Sequence, residues 1–152
     1  MMHMLETKNR PIVLVIDDEA AVLEEVSRAL EPAGFRCHCC QSAAAAIGAA
    51  AHIVPELIIS DINLAGESGL VLCERLRTQF CLEDVPMMFL SGAQIPDIVS
   101  RSHAAGGTYY LRKPFDPQVL VELVDKAMWM PHLVRHQVMR RRQAMAEYAA
   151  TI

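Results

Sequence analysis

Five short apolar runs punctuate this chain, and each is followed by residues spaced for a helix. The first is Ile12-Val13-Leu14-Val15-Ile16, which ends in Asp17-Asp18-Glu19. Apolar residues then recur at three- and four-residue steps, at Val22, Leu23, Val26, Ala29 and Leu30, until Pro32-Ala33-Gly34 stops the pattern. Phe35 to Cys40 reads as a second strand, and Ser42 is placed to cap an alanine-rich helix running to about Ala51. Leu57-Ile58-Ile59-Ser60 is the third strand, ending at Asp61. After a loop at Asn63-Leu64-Ala65-Gly66, a helix is predicted from about Ser68 to Gln79.

Met87-Met88-Phe89-Leu90 forms the fourth run, ending at Ser91-Gly92. A weaker helix is predicted from about Pro96 to Ala105. Thr108 to Leu111 is the fifth strand, ending at Arg112-Lys113-Pro114. Asp116-Pro117 begins a last helix with Val119, Leu120, Leu123, Val124, Ala127 and Met128 on one face. Strands that read as solid apolar runs are covered on both faces, as in parallel sheets. Strand–helix alternation of this kind predicts a doubly wound α/β sheet with right-handed crossovers. Ligands of such sheets sit outside the carboxyl ends of the strands.

That rule makes the strand ends informative. They carry Asp17 and Asp18, Asp61, Ser91 and Lys113. Three carboxylates at one edge repel each other unless something compensates them. A hard divalent cation does so naturally, and Mg2+ prefers oxygen ligands from one or two carboxylates plus a phosphate. Singly, each residue has a plainer reading as a turn or cap residue. Their joint occurrence at consecutive strand ends favours a site.

These pieces resemble the receiver domain of two-component response regulators. The resemblance runs from about Pro11 to Met130. It rests on Asp17-Asp18, Asp61, Ser91-Gly92 and Lys113-Pro114-Phe115, with the segment from Ala105 to Phe115 especially similar. It implies a flavodoxin-like five-stranded parallel sheet of order 2-1-3-4-5, with a lead at 1–10, a receiver at 11–130 and a helical tail or linker at 131–152. It also implies that Asp61 is the phosphoacceptor, taking a phosphoryl group from a phosphohistidine on a sensor histidine kinase or a histidine phosphotransfer protein. Asp18 and Asp61 are then direct ligands of Mg2+. Asp17 acts through a bound water, and Asn63 contributes its backbone carbonyl. Lys113 and Ser91 contact phosphoryl oxygens. Ser91 and Tyr110 form the switch, Pro114 follows a cis peptide bond, and the output face is the fourth helix, fifth strand and fifth helix.

The chain departs from the family pattern in two places. Leu64-Ala65-Gly66 stands where the family usually has a proline, so a more mobile loop is expected. Ala93 lies two residues past Ser91, at a position that with Asn63 tunes hydrolysis in the family, and the phosphate lifetime stays open.

Charge and composition narrow the alternatives. Four arginines against Glu147 give residues 131–152 a charge of +3, which leaves −7 on the rest of a chain whose total is −4. An acidic body is not expected to bind DNA directly. The tail carries Val134, Val138, Met145 and Tyr148 at roughly helical spacing, with Arg141 between, which suits an interaction helix or a homodimer contact. No apolar run is long enough for a membrane span, and Met1 to Arg10 lacks the core of a secretory signal, so the cytoplasm is the expected compartment. Disulfides are not expected there. In Cys37-His38-Cys39-Cys40 alternate residues face opposite ways, which argues for packing and against a zinc site. A flavin-binding relative is disfavoured because Asp17-Asp18-Glu19 would repel the flavin phosphate. An aspartyl-phosphate phosphatase needs a second aspartate where Glu19 stands. The remaining alternatives are a degenerate receiver serving only as an interaction module, and the receiver part of a longer regulator.

Overall fold

A computed structural model describes residues 10–92 and 108–129. Five parallel strands form the central sheet: β1 (Ile12–Ile16), β2 (Arg36–Cys40), β3 (Leu57–Asp61), β6 (Met87–Ser91) and β7 (Thr108–Arg112). Their order is β2-β1-β3-β6-β7, which is the 2-1-3-4-5 order of the flavodoxin-like fold. Strands β4 (Asn63–Leu64) and β5 (Glu67–Ser68) make a separate small hairpin. The helices are α1 (Ala20–Leu30), α2 (Ala43–Ala50), α3 (Gly69–Gln79) and α4 (Pro117–Trp129). The helix expected at Pro96 to Ala105, Ala93, the lead before Arg10 and the tail from Pro131 lie outside the described residues. No helix among the described residues is long and apolar enough to cross a membrane.

Strand alternation divides the core in two. Val13, Val15, Leu57 and Ile59 pack with Leu23 and Val26 of α1 and Leu120 and Val124 of α4. Leu14, Ile16 and Ile58 point to the other face and meet Ala46 of α2 and Leu72 and Leu76 of α3. Because both faces are covered, every residue of β3 and β6 is buried. That explains why these strands read as unbroken apolar runs. The edge strands are more exposed.

The caps follow from the polar residues that precede each helix. Ser42 Oγ accepts from the Ala45 N–H at 3.1 Å, and Ser68 Oγ accepts from the Val71 N–H at 3.3 Å. Asp116 Oδ1 accepts from the Gln118 N–H at 2.9 Å at the start of α4.

Several local expectations are corrected. Within Asn63 to Gly66, expected as a loop, Asn63 and Leu64 pair with Ser68 and Glu67 as the β4–β5 hairpin. Ala65 (φ 48°) and Gly66 (φ 90°) form its two-residue turn, and both positive φ values match the tight turn that suits strand twist. The Gly66 N–H also donates to Asn63 Oδ1 at 3.3 Å. On α4, Val119 is exposed while Leu120, Val124 and Ala127 are buried, so the buried stripe is narrower than its spacing suggests. Cys40 is buried and Cys37 half-buried, but Cys39 is exposed because β2 is an edge strand.

Candidate functional site

Three strand ends converge through one ammonium. Lys113 Nζ donates to Asp17 Oδ2 at 2.8 Å and to Asp61 Oδ2 at 3.2 Å. Asp17 follows β1, Asp61 ends β3 and Lys113 follows β7, so the contact spans the middle of the sheet to its edge. The backbone holds each partner there. The Asp17 N–H donates to the Cys40 carbonyl at 3.1 Å, and the Lys113 N–H donates to the Ser91 carbonyl at 2.7 Å. The second bond belongs to the last step of the β6–β7 pairing, Ser91↔Arg112. The Lys113-Pro114 peptide bond is cis.

The remaining carboxylate oxygens are held by the local chain. Asp17 Oδ1 accepts from the Glu19 N–H at 2.9 Å, and Asp61 Oδ1 accepts from the Asn63 N–H at 3.3 Å. Asp17 is fully buried (0% exposed), Asp61 is 8% exposed and Ser91 5%. Asp18 and Glu19 are exposed. Tyr110 is half-buried and packs against the α2–α3 core. It pairs in register with Phe89, two residues before Ser91, so it lies on the same sheet face as Ser91. Asn63 is exposed, and its side chain is engaged with Gly66.

Burial raises the Asp17 carboxyl above its ordinary value. The Lys113 hydrogen bond and the Glu19 N–H work against this without cancelling it, and the negative charge of Asp61 adds to it. Burial alone would lower the Lys113 ammonium, but its hydrogen bond and ion pair with Asp17, then those with Asp61, outweigh burial and raise it. The lysine is therefore firmly charged, while Asp17 carries the strain of the site.

The carboxylate oxygens of Asp17, Asp18 and Glu19 lie within 4.8 Å of one another. With Asp61 held beside Asp17 through Lys113, four carboxylates share this edge with one ammonium. An all-oxygen donor set with excess negative charge fits a hard divalent cation. The sequence reading named Asp17, Asp18 and Asp61 but not Glu19, although the unbroken acidic run was its signal. It also missed Gly69. A methyl group there would overlap the carbonyl oxygen of Asp61, so only glycine lets α3 start against the end of β3. The Gly69 N–H donates to the Ile62 carbonyl at 2.6 Å across this close approach.

Comparison with known proteins agrees with this geometry. The family model for the response regulator receiver domain matches residues 13–125. The phosphate regulon transcriptional regulatory protein PhoB of Pseudomonas aeruginosa is 33% identical over 109 residues, covering 72% of this chain and 48% of that protein. The DNA-binding transcriptional regulator NtrC of Escherichia coli is 30% identical over 119 residues, covering 78% of this chain and 25% of that protein. This chain therefore spans about half the length of PhoB and a quarter of NtrC. Among solved structures, the chemotaxis protein CheY4 of Vibrio cholerae superposes with a TM-score of 0.72 at 26% identity, covering 78% of this chain and 98% of that one. A response regulator from Thermotoga maritima superposes with a TM-score of 0.70 at 29% identity, covering 78% and 98%. The chain belongs to the response regulator receiver domain family of two-component systems.

Proposed function

We propose that Asp61 accepts a phosphoryl group from a phosphohistidine on a sensor histidine kinase or a histidine phosphotransfer protein. The observation that carries this reading is the Lys113 ammonium, set between the Asp17 and Asp61 carboxylates at 2.8 and 3.2 Å. An Asp61 oxygen attacks phosphorus as the P–N bond breaks, and the bonding electron pair leaves on the imidazole nitrogen, which takes up a proton. The product is an acyl phosphate. Transfers of this kind depend on in-line positioning and charge neutralisation. Lys113 turns from pairing two carboxylates to holding a phosphoryl oxygen. Ser91, nearly buried beside it, donates its hydroxyl to another.

The residues that would hold Mg2+ are Asp18 and Asp61 directly, Asp17 through water, and the Asn63 carbonyl. When bound, the ion supplies positive charge against the carboxylates and the phosphoryl oxygens. The same constellation supports removal of the group by hydrolysis, in which a water oxygen attacks phosphorus, the bond to the Asp61 oxygen breaks, and the carboxylate and inorganic phosphate are released. Engagement of Ser91 by the phosphoryl group shifts the population of Tyr110 rotamers on the shared sheet face, which alters the surface around β7 and α4. That surface, or the tail at 131–152, is the proposed contact for an output partner or a second copy. The receiver body is taken as residues 11–130.

Incubation with Mg2+ and acetyl phosphate, a small acyl-phosphate donor, tests the reading by intact mass. The wild type should gain one phosphoryl group, and Asp61→Asn should gain none. A wild type that stays unmodified and binds no Mg2+ contradicts the proposal and leaves an interaction module.

A further inference from the structure

Strand β3 contains one polar side chain before Asp61. Ser60 is fully buried (0% exposed) after three aliphatic residues. A buried hydroxyl is costly unless its hydrogen bond is made. Ser60 Oγ donates to the main-chain carbonyl of Asp61 at 2.9 Å.

The location gives this hydrogen bond a consequence. Parallel pairing of β3 with β1 ends at Ile16↔Ser60, one residue short of Asp61. Pairing with β6 continues through Asp61↔Leu90. The Asp61 peptide is thus supported by the sheet on one side only. On the other, Ser60 supplies a partner where the ladder has stopped. The glycine approach of α3 closes the same spot, because a methyl at Gly69 would also lie 3.0 Å from Ser60 Oγ.

We propose that Ser60 is a positioning residue that fixes the Asp61 peptide and so aims its carboxylate at the incoming phosphoryl group. This rests on the phosphoacceptor role of Asp61. A packing role alone would be filled by any small residue. The positioning role needs the hydroxyl.

The test is the rate of phosphorylation by acetyl phosphate at saturating Mg2+, measured over a range of donor concentration and well below the unfolding temperature. Ser60→Ala should lower the maximal rate about fivefold, the scale of one neutral hydrogen bond expressed in a barrier. Its half-saturating donor concentration should be unchanged, since Ser60 does not reach the donor. Ser60→Thr, which keeps the hydroxyl, should restore the rate to within about twofold, because it re-forms that bond. A Ser60→Ala protein phosphorylated as fast as wild type overturns the positioning role alone. So does a Ser60→Thr protein as slow as Ser60→Ala. A wild type that takes up no phosphoryl group overturns the phosphoacceptor reading and the positioning role with it.

Discussion

Lys113 lies closer to Asp17 than to Asp61, at 2.8 against 3.2 Å. The carboxylate expected to act through water is thus also the lysine's nearer anchor. Asp17 holds the ammonium at the edge of the site, and Asp61 remains within its reach. Burial raises the Asp17 carboxyl despite this ion pair.

The sign of the pH effect follows. A carboxyl raised on folding binds its proton more tightly in the folded chain than in the unfolded one. Its contribution favours the fold at acid pH and is lost as pH rises through the folded value. Above the ordinary value of 3.8, Asp17 therefore weakens the metal-free fold. Asp17→Asn should raise the unfolding midpoint at neutral pH in the presence of a chelator. The advantage over wild type should shrink as pH falls towards 4. Thermal melts across that range check it, and an advantage that grows in acid is the wrong sign.

Gly69→Ala should lose about 1–3 kcal/mol of stability, the usual cost of forcing an extra methyl into a packed site. The helix-propensity gain of alanine, at most about 1 kcal/mol, does not offset a backbone overlap. Since the overlap is with the Asp61 carbonyl, phosphorylation should slow as well. Urea titration and acetyl-phosphate labelling of the same protein check both effects.

Ala65 (φ 48°) and Cys81 (φ 56°) occupy the left-handed region without being glycine. Cys81 follows α3, where the Leu82 N–H donates to the Arg77 carbonyl at 3.0 Å, the bond that closes a helix through a left-handed residue. Gly34 occupies the equivalent place after α1. Cys81→Gly should therefore stabilise by about 1 kcal/mol. Ala65→Asn, which creates the Asn-Gly pair favoured in this turn, should add about 0.5–1 kcal/mol. Denaturant midpoints should move up with unchanged slopes.

These residues also mark where sequence reading stops. The sheet and its order were legible because β3 and β6 are covered on both faces, which leaves an unbroken apolar signature. Asp17, Asp61 and Lys113 were legible because each stands at the end of such a run. The preference of Lys113 for Asp17 was not, since it joins residues 96 positions apart and depends on strand placement. Gly69 was missed because its constraint comes from the carbonyl of another element. Asn63 to Gly66 reads as a loop and not as part of a hairpin because two-residue strands carry no periodicity, and Ala-Gly is a weak turn signal. Ser60 looked like the end of an apolar run, and only its contacts separate it from filler.

The central claim is that the carboxylate of Asp61 carries the phosphoryl group. It is tested most directly by locating the group. An acyl phosphate is reduced by borohydride to the alcohol, which marks the modified residue for peptide mass spectrometry. After incubation with acetyl phosphate and Mg2+, the reduced side chain should appear at position 61 and nowhere else. Reduction at Asp17, Asp18 or Glu19, with Asp61 intact, would contradict the account.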